Sequence, residues 1–278
     1  MGMRIREAIK LVTPPGLIYL ARKLRGNLAA DSYGLSGDYH SWSAAMAAST
    51  GYDSGIILEK TRAALMKVKN GDAVYERDSV LFDEIQYTWP LLAGLMWVAA
   101  RCGGTLNVLD FGGSLGSTYF QNRAFLSALP QVRWNIVEQF RHVETGKACF
   151  EDDHLRFYAN IAECLAENHP NVVLFSSVLQ YLENPYAVFE QVLGLPCDWI
   201  MIDRTPFWTG STDRLCVQRV PPHIYPATYP CYILSMPRFH AYLEEKSMQI
   251  RAEFDSLDSL SAPVRTVWKG LILERRKH

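Results

Sequence analysis

No two cysteines in this chain are spaced as a CxxC pair. The six, at positions 102, 149, 164, 197, 216 and 231, stand at wide, irregular gaps. Neither a disulfide scaffold nor a zinc site is expected from them, and reduced thiols in a cytoplasmic protein are. Charge of one sign is missing too: 28 Lys and Arg stand against 29 Asp and Glu. Phosphate binders usually carry a basic excess, so nucleic acid is not expected as a partner. No apolar run is long enough to span a membrane and no secretory leader is visible. Arg6 stands where a myristoylation signal beginning at Met1-Gly2 requires Ser or Thr. The histidines show no metal-ligand spacing, so no metal is expected, and no repeat or low-complexity segment interrupts the chain.

What is present begins with a local asymmetry. Arg4, Arg6, Lys10, Arg22, Lys23 and Arg25 face Glu7 alone within the first 30 residues. In "GLIYLARKLRG", Leu17, Leu20, Ala21 and Leu24 share one helical face. A solvated helix docked on its own domain is the favoured reading, and peripheral contact with an anionic membrane is the other.

Residues 1–105 read as a helical region. "DSYGLSGDYHSW" reads as loop, and "SGIILEKTRAALMKVKNGD" as a helix stopped at Gly71. "ERDSVLFDE" reads as a solvated helix start, with a lid bringing Tyr75, Arg77 or Tyr87 to a site as the alternative. The following helix is kinked or broken at Pro90 and ended by Gly103-Gly104. From residue 106 short β-branched runs alternate with helical segments, which predicts an α/β, Rossmann-like doubly wound sheet, mostly parallel. "QIRAEF" and "VWKGLILERR", joined by a short polar loop, predict an antiparallel C-terminal hairpin.

The first strand of that alternation ends in "LDFGGSLG". Open α/β sheets bind ligands beyond the carboxyl ends of their strands, and glycines let backbone approach a ligand closely. Glu138, ending the second strand, is spaced to meet ribose hydroxyls. Asp110 beside the turn would repel a diphosphate. S-adenosylmethionine (SAM) carries an ammonium and a sulfonium and no phosphate, so an aspartate facing the cleft favours it.

The segment resembles the first motif of class I SAM-dependent methyltransferases, an acid followed by alternating glycines. Asp110, Gly112 and Gly116 match it, and Ser114 replaces the central glycine. With "FYANI" and "LFSSVLQYLENP" in order behind Glu138, the resemblance covers residues 106–276. It implies SAM as cofactor, held by Asp110, Phe111, Gly112, Gly113, Ser114 and Gly116 at the turn. It further implies Glu138 and Gln139 on the second strand, Asn160 and Ile161 beside adenine, and Ser176, Ser177 and Tyr181 along the pocket. More narrowly, "GYDSGIIL", "ERDSVLFDE" and "FGGSLGS" resemble a family of methyltransferases associated with surface-polysaccharide biosynthesis. The division implied is a lid over 1–105 and a SAM-binding domain over 106–278.

Residues 204–235 read as an insertion forming the acceptor wall, with a short strand pair as an optional part of it, because aromatic-rich loops of that length are usually functional. Arg204, Trp208, Tyr225 and Tyr229 are its candidate contacts for a small-molecule or saccharide acceptor. Imidazole takes a proton near neutral pH, which makes His223 the candidate base, with Asp203 as the other. Two alternatives stay open. Tyr242 and Lys246 in "YLEEK" mimic the Tyr-x-x-x-Lys pair of short-chain reductases using NAD(P), and a non-catalytic SAM-binding partner protein would look the same in sequence.

Overall fold

The computed structural model describes residues 33–50 and 54–276; the basic segment read above lies outside them. The described chain opens with β1 (Gly34–Tyr39), α1 (Trp42–Ala47) and α2 (Ser54–Asn70). Then come β2 (Tyr75–Arg77), β3 (Val80–Phe82) and α3 (Trp89–Arg101). The region expected to be helical therefore contains three strands. β1 stands where a loop is expected, since its glycines and polar residues carry no alternating pattern; it forms because β9 offers it an edge, described below. β2 and β3 form a small antiparallel hairpin, with Tyr75 opposite Phe82, where a solvated helix start was expected. Three residues are too few to show a period of two. Pro90 sits in the first turn of α3 and starts the helix rather than kinking it, as a residue with no N–H to lose does there.

Beyond Gly103 and Gly104, both at positive φ, the expected alternation appears in order. The elements are β4 (Thr105–Phe111), α4 (Ser117–Leu126), β5 (Gln131–Val137), α5 (Phe140–Cys149), β6 (Leu155–Tyr158) and α6 (Ile161–Glu167). They continue with β7 (Val172–Ser176), a 3-10 turn at Leu179–Tyr181, α7 (Pro185–Leu193) and β8 (Trp199–Trp208). The parallel strands lie in the order β6-β5-β4-β7-β8, so the order reverses between β4 and β7. That reversal is the switch point at which open α/β sheets bind ligands.

After β8 follow β9 (Arg214–Arg219), β10 (Thr228–Ser235), α8 (Met236–Glu245), β11 (Met248–Asp255) and β12 (Val267–Arg275). β12 pairs antiparallel with both β8 and β11, forming the expected hairpin. Its connection, residues 256–266, is longer than the short loop expected. Residues 204–235 hold more sheet than the short strand pair allowed for: the end of β8, then β9 and β10, with irregular chain only at 209–213 and 220–227. β7 pairs with β8 only as far as Ser176 opposite Asp203, and β8 runs on to Trp208. The overhanging end takes β10 as a parallel neighbour, and β9 and then β1 add antiparallel strands outside it. The alternation of these strands was hidden by their prolines and tyrosines.

The sheet buries an apolar core on each face. Leu106, Val108, Trp134 and Met201 pack with α2, α3 and α4, and Leu109, Phe175, Ile202 and Phe207 pack with Phe189 and Phe239 of α7 and α8. Gly146 of α5 marks a close crossing, since a Cβ there would lie 2.6 Å from Cγ of the Phe157 ring. Gly146→Ala should therefore destabilise the protein by about 1–3 kcal/mol, read as a lower thermal midpoint.

Candidate functional site

The carboxyl ends of β4, β5, β6 and β7 open into one cavity of about 1180 Å³. Backbone conformation changes sharply around its rim. Gly112 (φ 70) and Ser114 (φ 52) follow β4, Ser177 (φ 57) follows β7, and Arg204 (φ 54) interrupts β8. Non-glycine residues in left-handed conformations are costly, and they cluster where a surrounding structure holds them for use. Gln180, fully buried, supplies part of that hold: its amide donates to Ser177 Oγ at 3.2 Å and to the Arg204 carbonyl at 3.1 Å.

Most residues expected to bind a cofactor do line this cavity. Phe111 to Ser114 form its glycine wall and Glu138 and Gln139 come from the end of β5. Glu138 accepts the Gln139 backbone N–H at 2.7 Å. Asn160 and Ile161 enter from the start of α6, which Asn160 also caps through the Glu163 N–H at 2.9 Å. Ser176, Ser177 and Tyr181 complete that side. Tyr181 donates to Gln218 Oε1 at 2.8 Å.

Two of the expected cofactor residues lie outside it. Asp110 is 0% exposed and points beneath the turn, where its Oδ2 accepts Trp134 Nε1–H at 2.9 Å. Gly113 passes directly over it; a Cβ there would stand 2.5 Å from Asp110 Cγ. Burial pushes the Asp110 carboxyl up to about 7. The expectation that Asp110 faces a cationic donor is thus corrected, and the discrimination against a diphosphate drawn from it falls with it. The cause is the pleat: Asp110 shares the face of Leu106 and Val108, which is core. Gly116 likewise turns the chain into α4 at φ 101 and packs on Leu155 and Ile136 rather than on the cavity.

On the acceptor side, Arg204, Tyr225 and Tyr229 line the cavity, and Trp208 does not. Trp208 lies against Gly210 and under the Arg214 guanidinium, and its indole donates to the Thr212 carbonyl. Neither candidate base reaches the cavity. His223 is solvent-exposed outside it, carried there by the turn that points Ile224 and Tyr225 inward. Asp203 is 1% exposed and accepts the Arg204 backbone N–H, and burial pushes its carboxyl up to about 6. It shares the core face of Trp199 and Met201.

Residues before 106 do reach the cavity, as the lid alternative has it, but Tyr75, Arg77 and Tyr87 do not line it and other side chains do. Trp42, Met46, Ile57 and Thr61 of α1 and α2 line the cavity together with Glu76, Asp78 and Ser79 of the β2–β3 hairpin. Asp258, Ser259 and Leu260 enter from the β11–β12 connection. Arg204 ties these segments together, ion-paired to Asp78 and, at 2.7 Å, to Asp258. Glu76 is buried at 1% exposure; its Oε1 accepts the Ser79 N–H at 2.6 Å and its Oε2 the Ser117 hydroxyl at 2.5 Å. Burial pushes its carboxyl up to about 7. The charged run Glu76-Arg77-Asp78 looks solvent-facing in sequence, and only the buried Tyr75 beside it offered a hint of an inward turn.

The pair expected of a reductase is occupied elsewhere. Tyr242 donates to Glu190 Oε2 at 2.9 Å and Lys246 to Glu190 Oε1 at 3.0 Å, on α7 and away from the cavity. Among the described residues no group of three or more His, Cys, Asp or Glu side chains could hold a metal, and no helix is long and apolar enough to cross a membrane.

No family model matches the chain, and no curated protein matches it. Solved structures similar to it include the N-terminal domain of EvdMO1 in the presence of SAH and D-fucose, at 14% identity and TM-score 0.46, covering 81% of this chain and 98% of that one. Magnesium protoporphyrin IX methyltransferase from Synechocystis PCC 6803 with bound SAM is 12% identical at TM-score 0.44, covering 82% and 99%. The 1,6-didemethyltoxoflavin-N1-methyltransferase of Burkholderia thailandensis is 13% identical at TM-score 0.41, covering 88% and 94%.

Proposed function

We propose that this chain is a SAM-dependent methyltransferase acting on a small-molecule or sugar-type acceptor. The observation that carries the reading is a single cavity at the switch point of the sheet. There the left-handed glycine turn after β4, the Glu138 carboxylate after β5 and the Asn160 cap after β6 meet an aromatic wall of Tyr181 from the 3-10 turn, Tyr225 from the β9–β10 connection and Tyr229 of β10. In this reading Glu138 takes the ribose hydroxyls, Asn160 and Ile161 flank adenine, and the Gly112–Ser114 backbone receives the amino-acid end. The resemblance of "ERDSVLFDE" and "FGGSLGS" to methyltransferases of surface-polysaccharide biosynthesis supports the sugar-type acceptor, and six free thiols fit cytoplasmic work.

Held by Gly112–Ser114, Glu138, Asn160 and Ile161, SAM would supply a sulfonium methyl open to in-line displacement by an acceptor lone pair, with a neutral thioether as the leaving group. The protein's task is alignment at near-attack distance, for which Tyr181, Gln218, Tyr225 and Tyr229 supply a wall held by mutual hydrogen bonds and ring contact. The reductase reading loses its support, because Tyr242 and Lys246 are bound to Glu190 outside the cavity. Titration calorimetry tests the reading. SAM and S-adenosylhomocysteine should bind and NADH should not, and Glu138→Ala should weaken both by roughly 10–100-fold, the loss of charge-assisted hydrogen bonds. Binding of NADH alone would refute it.

A further inference from the structure

Glu76 is a buried acid on the cavity with no cation to answer it. Among the described residues no Lys, Arg or His lies within ion-pair distance of its carboxylate, whose hydrogen bonds come from two neutral donors, Ser79 and Ser117. The charged and titratable groups around it are few. Asp78, on the neighbouring turn, adds a like charge, and Tyr75 on its own strand is a neutral phenol pushed up to about 12 by burial. Arg204 is the one nearby cation that influences it, and Arg204 is already held between Asp78 and Asp258. A buried carboxylate in this position either takes up a proton or waits for a positive ligand.

Its place is informative. Ser117 is the first residue of α4, the helix that follows the glycine turn. The start of that helix is where a dinucleotide would set its diphosphate, on unpaired N–H groups and the positive end of the helix dipole. Here a carboxylate is fixed on that helix start, and Asp110 is turned away beneath it. The ligand group that fits is cationic.

We propose that Glu76 receives the α-ammonium of the donor's amino-acid end, so that a residue of the β2–β3 hairpin, outside the parallel strands, completes the cofactor site. The inference rests on the SAM reading above. It has a proton consequence. An arriving ammonium favours the ionised carboxylate, so the proton that burial holds on Glu76 near neutral pH passes to solvent as the ligand binds. A ligand lacking the amino-acid end releases none from this group.

The experiment is calorimetric titration at pH 6.5 in two buffers of different ionisation enthalpy, which counts protons released. S-adenosylhomocysteine and 5′-methylthioadenosine, which lacks the amino-acid end, are the probes, and wild type and Glu76→Gln the proteins. Wild type is expected to release about half a proton or more with S-adenosylhomocysteine than with 5′-methylthioadenosine. Glu76→Gln should lose that difference and bind S-adenosylhomocysteine at least ~30-fold more weakly, about 2 kcal/mol, with 5′-methylthioadenosine unchanged. Equal proton counts for the two ligands on wild type would overturn the proposal without any variant. Equal weakening of both ligands in Glu76→Gln would also overturn it, by making Glu76 a structural group, and either result leaves the cofactor reading standing. Failure of wild type to bind either ligand would remove the cofactor reading and this inference together.

Discussion

Asp110→Asn should make the protein more resistant to urea at pH 8, by on the order of 2 kcal/mol. The wild-type carboxyl is fully buried, holds one hydrogen bond from Trp134, and is pushed up to about 7 by burial. A group whose folded pKa lies above its unfolded value costs nothing at a pH where both states are protonated. The cost grows as pH rises through the unfolded value, near 4, and levels off above the folded one, near 7. The stabilisation by Asn should therefore be full at pH 8 and shrink steadily between pH 7 and pH 4. Glu76 and Asp203, raised for the same reason, keep the same sign in the variant, so its own stability should still rise as pH falls from 8 to 5. Exposed Glu59 and Glu190, whose pKa values are lowered, oppose this only in more acid solution. Asn preserves the acceptor for Trp134, so affinity for S-adenosylhomocysteine should change less than about threefold, or about 0.6 kcal/mol. Lower stability at pH 8, or a loss of ligand binding, would show that the carboxylate does its work ionised.

Gly112→Val should have the opposite character, lowering stability and weakening S-adenosylhomocysteine binding severely. Gly112 sits at φ 70, and a Cβ there would stand 3.0 Å from Val178 Cβ, with one γ-methyl of Val178 closer still. A β-branched residue in the left-handed region costs a few kcal/mol, and overlap with Val178 adds to it. The turn must shift, and with it the backbone of Gly113 and Ser114 that lines the cavity. The expected result is a thermal midpoint lowered by several degrees and S-adenosylhomocysteine affinity reduced at least ~100-fold. Adding Val178→Ala relieves the overlap but not the backbone strain. The double variant should recover part of the stability and little of the binding; full recovery of binding would mean the glycine serves packing alone.

The two variants also mark what the sequence made legible. The glycine turn, the alternation of strands and helices, Glu138 and the closing hairpin are local patterns, set by period and by residues with special backbone freedom, so they could be read directly. The direction of Asp110 was readable as well, from its parity with Leu106 and Val108, but an acid beside a glycine turn outweighed that parity. The same parity sends Asp203 into the core with Met201. What no local pattern carries is the floor of the site. Glu76 comes from a three-residue strand within a charged run, and Trp42 and Met46 come from a six-residue helix. Their roles follow from pairing across long sequence distances, such as Ser117 with Glu76 and Arg204 with Asp78. The left-handed backbone at Ser177 and Arg204 was equally hidden, because it is held by Gln180 and by the pairing of β7 with β8, not set by residue type.

The overhang of β8 beyond β7 has an evolutionary side. The side of the cavity carrying Gln218, Tyr225 and Tyr229 is β9, β10 and their connection, hung on one projecting edge, while the glycine turn belongs to strands that stop earlier. Segment 220–227, which brings Val220, Pro221, Ile224 and Tyr225 to the cavity, can lengthen, shorten or change side chains with the β4 and β5 ends left as they are. Under the proposed function, such an arrangement lets a lineage trade one acceptor for another by rewriting a fringe, with its donor site inherited intact.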